Sequence, residues 1–139
     1  MRLRPAALPA LLLAGCAAVA PPPSAACPAG TQPATIAEAY FGRGTDDARG
    51  VSDAAWAAFL DNVVTPAFPD GLTVLDAAGQ WRRRDGRIIG ERSKVLLVAL
   101  PGGTAEQALA RLAPVTAAYR TRFAQESVMV TTQAACIGF

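Results

Sequence analysis

Four arginines and a tryptophan crowd one short stretch, Trp81-Arg82-Arg83-Arg84-Asp85-Gly86-Arg87. Guanidinium groups grip carboxylates and phosphates through paired N–H donors, and an indole beside them offers a stacking platform. Trp81, Arg82, Arg83, Arg84 and Arg87 together therefore suit an anionic ligand such as a lipid phosphate or a glycan carboxylate. A charge run at a turn is also the ordinary make-up of a solvated tip that blunts edge-to-edge pairing. A second set comprises Glu38, Tyr40, Glu91, Arg92 and Lys94, polar residues in segments that otherwise read as strand. Ionised groups in a sheet interior are costly unless paired or wet. With Glu38 and Tyr40 on one face, either Arg92 and Lys94 or Glu91 and Ser93 stand beside them, and such a cluster supplies a carboxylate base with a phenol or cation to stabilise an anion, the parts of a cofactor-free enzyme. Strand ends and an ion-pair ladder account for the same residues without any reaction.

Other chemistry is excluded by composition. The 139 residues contain no histidine, so Ser-His-Asp and Cys-His devices are ruled out, and with them the commonest metal ligand. Neither Cys27 nor Cys136 has a CxxC neighbour, which leaves no redox or zinc motif. Gly42 and Gly44 sit between an expected strand and an expected helix, as in a dinucleotide fingerprint. The third glycine position is Asp47, however, and Asp46 beside it would repel a pyrophosphate. No cofactor is expected. The 13 Lys and Arg fall to 11 without Arg2 and Arg4, equal to the 11 Asp and Glu. A neutral chain has no global attraction to nucleic acid.

The first residues read as an export signal. A cationic start, Met1-Arg-Leu-Arg4, precedes an apolar stretch too brief to span a bilayer. Its ending, Leu13-Ala14-Gly15-Cys16, resembles the lipobox of bacterial lipoproteins. That resemblance implies removal of residues 1–15 and lipidation of Cys16 with three acyl chains, more than the two signals that suffice for stable anchoring. An ordinary signal cleaved near Ala18 or Ala20 is the plainer alternative. Ala17 replaces the Asp that often retains such proteins at the inner membrane, so the expected place is the bacterial cell envelope, outer membrane before inner, facing the periplasm. Residues 16–34, rich in Ala and Pro, form a flexible tether. With Cys16 acylated, Cys27 and Cys136 face an oxidising compartment and are expected to pair, against the alternatives of two separate thiols or a cysteine linked to a partner.

The elements that must position these groups occupy residues 35–139. Thr35 to Arg43 alternates as a first strand, with Ile36, Glu38 and Tyr40 on one side and Ala37, Ala39 and Phe41 on the other. Ser52 caps a helix whose Trp56, Phe59, Leu60 and Val63 form one stripe, and Thr65-Pro66 ends it. The Asp85-Gly86 dipeptide predicts a two-residue hairpin that sets Val74 opposite Leu97 and Trp81 opposite Gly90. Asp76 to Gly79 lacks β-formers, which predicts a bulge or a break. Val95 to Leu100 is apolar on both faces, as an interior strand requires. Thr104 and Gln107 match a capping box opening a second helix, with Ala108, Leu112, Val115, Tyr119 and Phe123 on its stripe and Pro114 kinking it or loosening a turn. Ser127 to Cys136 closes the order as a strand. The fold class is α+β, a ferredoxin-like βαββαβ antiparallel sheet with two helices on one face.

Glu38-Ala-Tyr-Phe-Gly42, Val51 to Leu60, Val64 to Asp76, Gly79-Gln-Trp-Arg82 and Glu91 to Leu96 together resemble a domain-of-unknown-function family of small bacterial lipoproteins, over about residues 36 to 136. The resemblance implies an exported ferredoxin-like domain and carries no activity or catalytic residues. Two functions follow. The first is a non-enzymatic envelope module that binds an anionic component or a partner. The second is a cofactor-free enzyme of dimeric α/β-barrel type, using Glu38 or Glu91 as base and assembled as a homodimer through the helix-free sheet face.

Overall fold

The computed structural model describes residues 26–44, 50–82 and 84–139. The signal segment, Cys16 and Arg83 lie outside the described residues. Strand β1 spans Gln32–Gly42, three residues longer at its start than the alternation predicts. Its odd positions Ala37, Ala39 and Phe41 are fully buried, whereas Ile36, Glu38 and Tyr40 are half-buried. The period of two thus separates a covered face from an open one.

Helix α1 (Asp53–Phe59) opens where expected, with the Ser52 hydroxyl accepting the Ala55 N–H. It passes directly into a π-helical segment, Leu60–Val64, and a last turn, α2 (Thr65–Ala67). Two expectations change here. Val64 rather than Val63 is fully buried, five residues after Phe59, because the wider π turn delays the apolar stripe by one residue. The helical path also runs past Thr65-Pro66 to Ala67 before Phe68 leaves it at φ −132°. Helix α3 (Ala105–Phe123) has both bonds of its Thr104/Gln107 capping box and continues through Pro114. Ala108, Leu112, Val115 and Tyr119 are buried along it. Phe41, Trp56, Phe59, Tyr119 and Phe123 then form one aromatic cluster, with the Phe41 and Tyr119 ring centres 4.7 Å apart edge to face.

Strands β2 (Thr73–Arg82), β3 (Ile88–Pro101) and β4 (Met129–Ile137) complete a sheet of order β2-β3-β1-β4, every neighbour antiparallel. This is the expected ferredoxin-like βαββαβ arrangement. The hairpin register differs from the expectation by one residue. Val74 pairs with Leu96 and Trp81 with Ile89, while Gln80 faces Gly90. Five residues, 83–87, separate the strands instead of two: the Asp85 carboxylate accepts the Arg87 N–H at 3.0 Å and Gly86 adopts φ +85°. An odd loop shifts the pairing by one, and that shift turns β2 over. Val74, Asp76 and Ala78 therefore share the helix side with Leu96, Lys94 and Arg92, and Leu75 and Trp81 point to the open side. The expected bulge is absent, since Asp76 to Gly79 pair without interruption with Lys94 to Glu91.

Cys27 and Cys136 form the expected disulfide, with Cα atoms 5.6 Å apart. It closes the end of the sheet where β1 begins and β4 finishes. The Gly102 N–H donates to the Pro33 carbonyl at 2.8 Å and the Thr35 hydroxyl to the Gly103 carbonyl at 2.7 Å, so three strands are fastened at that end.

Candidate functional site

The polar residues singled out in the sequence fall into three places. The first is the hairpin tip, where Arg82, Arg84 and Arg87 are exposed and Trp81 is 42% exposed. Arg82 donates from Nη1 to the Gly86 carbonyl at 3.0 Å and so braces its own turn. Arg84 and Arg87 extend the same cationic surface on either side of that loop, at the far end of β3 from the disulfide.

The second place is the open face. Here the Tyr40 hydroxyl donates to Oε2 of Glu38 at 2.5 Å, and Thr131 on β4 approaches the same oxygen at 3.5 Å. The hydrogen bond to Glu38 holds the Tyr40 phenol above its ordinary pKa, because losing the proton would break the bond and set two anions together. Glu91 does not join them. Its Oε1 accepts the Gly44 N–H at 2.7 Å and lies so close over Gly42 that a Cβ there would meet it at 2.6 Å. Glu91 thereby caps the end of β1, in a position from which a Cβ at residue 42 would displace it.

The third place is a groove of ≈ 890 Å³ on the helix side, between α1 and the β2–β3 ribbon. Arg92 and Lys94 belong to it, since the register places even-numbered β3 residues on the covered face. Lys94 pairs with Asp76 at 2.5 Å, and that bond holds the Asp76 carboxyl below its usual range. Of the two arrangements the sequence allows, the sheet places Glu91 on the side of Glu38 and Tyr40, with Arg92 and Lys94 on the other.

Three residues of this groove had no expected role. Arg43, with a side chain 3% exposed, donates from Nε to the Val51 carbonyl at 2.8 Å and from Nη1 to Asp53 at 2.8 Å. Its Nη2 is buried and has no hydrogen-bond partner among the described residues. Asp53 and Asp76 are the two carboxylates. A lone arginine after Phe41-Gly42 carries no sequence signal, and Asp76 falls in a stretch whose face depends on the register. Among the described residues, no group of three or more His, Cys, Asp or Glu could hold a metal ion.

Residues 37–139 match the family described as protein of unknown function, DUF3574. The chain belongs to that family. No curated protein matches the chain. Among solved structures, this DUF3574 domain is similar to a phage SAM lyase in complex with S-methyl-5′-thioadenosine, at a TM-score of 0.56 and 17% identity over 81% of this chain and 93% of that one. The apo form of a phage SAM lyase matches at a TM-score of 0.55 and 16% identity over 79% and 91%. At these identities the likeness concerns the fold alone.

Proposed function

We propose that this DUF3574 protein is an exported bacterial envelope lipoprotein, a non-catalytic binding module held to the membrane by acylated Cys16 and presenting its arginine-rich tip to an anionic envelope component. The observation that carries this reading is the Cys27–Cys136 disulfide together with its position. A bond of this kind persists in an oxidising compartment. It also fastens the inner end of the tether to the end of the sheet opposite the arginines. Ten residues lie between Cys16 and Cys27, a reach of at most about 35–40 Å. The 14 residues of β3 hold the tip about 45 Å further on. The domain is thus carried with its cations outward, toward lipid phosphate or glycan carboxylate beyond its own anchor, and the outer membrane is the preferred location.

Labelled palmitate incorporated by the wild-type chain and not by Cys16→Ser supports the anchor; equal labelling of the two overturns it. Retention on isolated anionic envelope material should be lost when Arg82, Arg83, Arg84 and Arg87 are changed to Ser, and unchanged retention removes the tip from the reading.

The second reading, a cofactor-free enzyme of dimeric α/β-barrel type, draws support from the close Glu38–Tyr40 pair. A homodimer through the open face would bring two such pairs together but not Arg92 or Lys94, which lie behind the sheet. Light scattering on residues 17–139 distinguishes the two: a monomer at high concentration removes the barrel.

A further inference from the structure

We propose that the helix-side groove is a binding site for a small organic anion, a carboxylate or phosphate monoester on an apolar body, received by Arg43, Arg92 and Lys94. The site is separate from the hairpin tip and does not depend on the lipid anchor.

The argument starts from where the charges sit. The Arg43 side chain is 3% exposed and its partner Asp53 is 79% exposed; the Lys94 side chain is 13% exposed and its partner Asp76 is 81% exposed. These two cations are deep and their counter-ions stand at the rim, whereas Arg92 is exposed. An ordinary surface ion pair has no such asymmetry, because both long side chains reach for water. Burying a guanidinium is repaid only when its donors are used, and Arg43 spends Nε on Val51 and Nη1 on Asp53 while Nη2 is left without a partner among the described residues. The spare donor belongs to a residue that lines the groove, as do Arg92 and Lys94. Asp76 lies within the field of all three cations, with Lys94 the nearest and Arg43 and Arg92 adding to it. The charges therefore converge on one region.

Asp76 is the protein's own anion beside Lys94, and its exposure leaves it free to swing outward. A ligand anion would take its place against Lys94, in the field of Arg43 and Arg92. Trp56 and Leu60 on one wall and Val74 and Ala78 on the other give the ligand's remainder an apolar lining. Bare inorganic phosphate would satisfy the cations and leave those walls wet, so an anion with an aromatic or short aliphatic body should bind more tightly.

The test uses the full-length, disulfide-bonded chain with Trp81→Phe, which leaves Trp56 as the single tryptophan of the two in the sequence. Its fluorescence is followed during titration with phenyl phosphate, benzoate and inorganic phosphate. Saturable binding of phenyl phosphate or benzoate, tighter than inorganic phosphate, is expected, and the stronger of the two identifies the head group. Lys94→Gln should weaken binding about tenfold, and Arg43→Lys, which keeps the charge opposite Asp53, should weaken it several-fold. Asp76→Asn removes the internal competitor and should tighten binding about three- to fivefold. The Asp76→Asn arm decides even where the Arg43 variant fails to fold. No saturable change at 20 mM of any probe (about a hundred times a typical ligand requirement), or weaker or equal binding in Asp76→Asn, overturns the proposal. Equal binding of inorganic and phenyl phosphate overturns the part assigned to the apolar walls.

Discussion

The two halves of β3 are one strand in two environments. From Val95 to Leu97 it lies between β1 and β2 and from Val98 to Leu100 it stays paired with β1, and Val95, Leu96, Val98 and Leu100 are buried. From Ile88 to Arg92 it pairs with β2 alone, because the β1 ladder ends at Gly42 opposite Ser93, and Ile88 is 51% exposed. A two-stranded ribbon is marginal by itself in water. This one is stitched to the body at its root, where the Arg43 N–H donates to the Arg92 carbonyl at 2.9 Å and the Gly44 N–H to Glu91 at 2.7 Å. Stability belongs to the inner half, and freedom to carry surface chemistry belongs to the outer half.

Breaking the inner end should have the largest effect. Cys136→Ser opens a loop spanning a sequence separation of 109, for which chain entropy alone gives about 4.7 kcal/mol as an upper guide. Chemical denaturation of the oxidised wild type against the variant measures it, and a loss under 1 kcal/mol would mean that hydrogen bonds at Pro33 and Gly103 hold that end unaided. Next, Leu96→Ala should cost about 3 kcal/mol, because the side chain is fully buried over β1 and β2. The matched truncation in the outer half, Ile88→Ala, should stay within about 0.5 kcal/mol. Similar losses for the two would dissolve the distinction between the halves.

The inner half was also the more legible in the sequence. Apolar alternation in β1, the Ser52 cap, the capping box at Thr104 and the α3 stripe each rest on local rules, and the structure keeps all of them. Legibility ends where one residue of length decides a whole face. The Asp85-Gly86 pair signals a turn but not that the loop is five residues, and that single step moves Asp76 behind the sheet beside Lys94. The π segment does the same to Val63 and Val64. A run of arginines announces itself, whereas Arg43 matters only because the chain after β1 folds back to offer it the Val51 carbonyl and Asp53. Single buried polar residues take their roles from tertiary contacts that have no local signature.

A smaller effect tests the boundary between the halves from the helix side. Tyr119 is buried in the aromatic cluster and its hydroxyl donates to the Gly42 carbonyl at 2.9 Å, on the last residue of β1. Burial pushes the phenol pKa far up, so the group stays a donor throughout the alkaline range the fold tolerates. Tyr119→Phe keeps the ring packing and should cost about 1 kcal/mol. Amide hydrogen exchange should quicken near Gly42 and Arg43 more than at β4; uniform quickening would place the hydroxyl's contribution in the core rather than at the strand end.

The smallest expected effect is one that acid removes. Asp76 pairs with Lys94 where the buried and overhanging stretches of β3 meet, and the pairing lowers its pKa below the ordinary carboxylate value of about 3.9. The folded state therefore releases this proton more readily than the unfolded chain does. The stabilisation is complete above the unfolded pKa and is lost as pH falls through the lower, folded value. At neutral pH Asp76→Asn should lower the urea midpoint slightly, since the side chain is 81% exposed and the pair is screened. As pH drops from about 4 toward 2 the wild-type and variant midpoints should converge, because protonated Asp76 and Asn then resemble each other. A gap that persists at pH 2 would show that Asp76 serves the ribbon by shape instead of charge, and the junction would have to be assigned to the contacts of the Glu91 carboxylate and the Arg92 carbonyl alone.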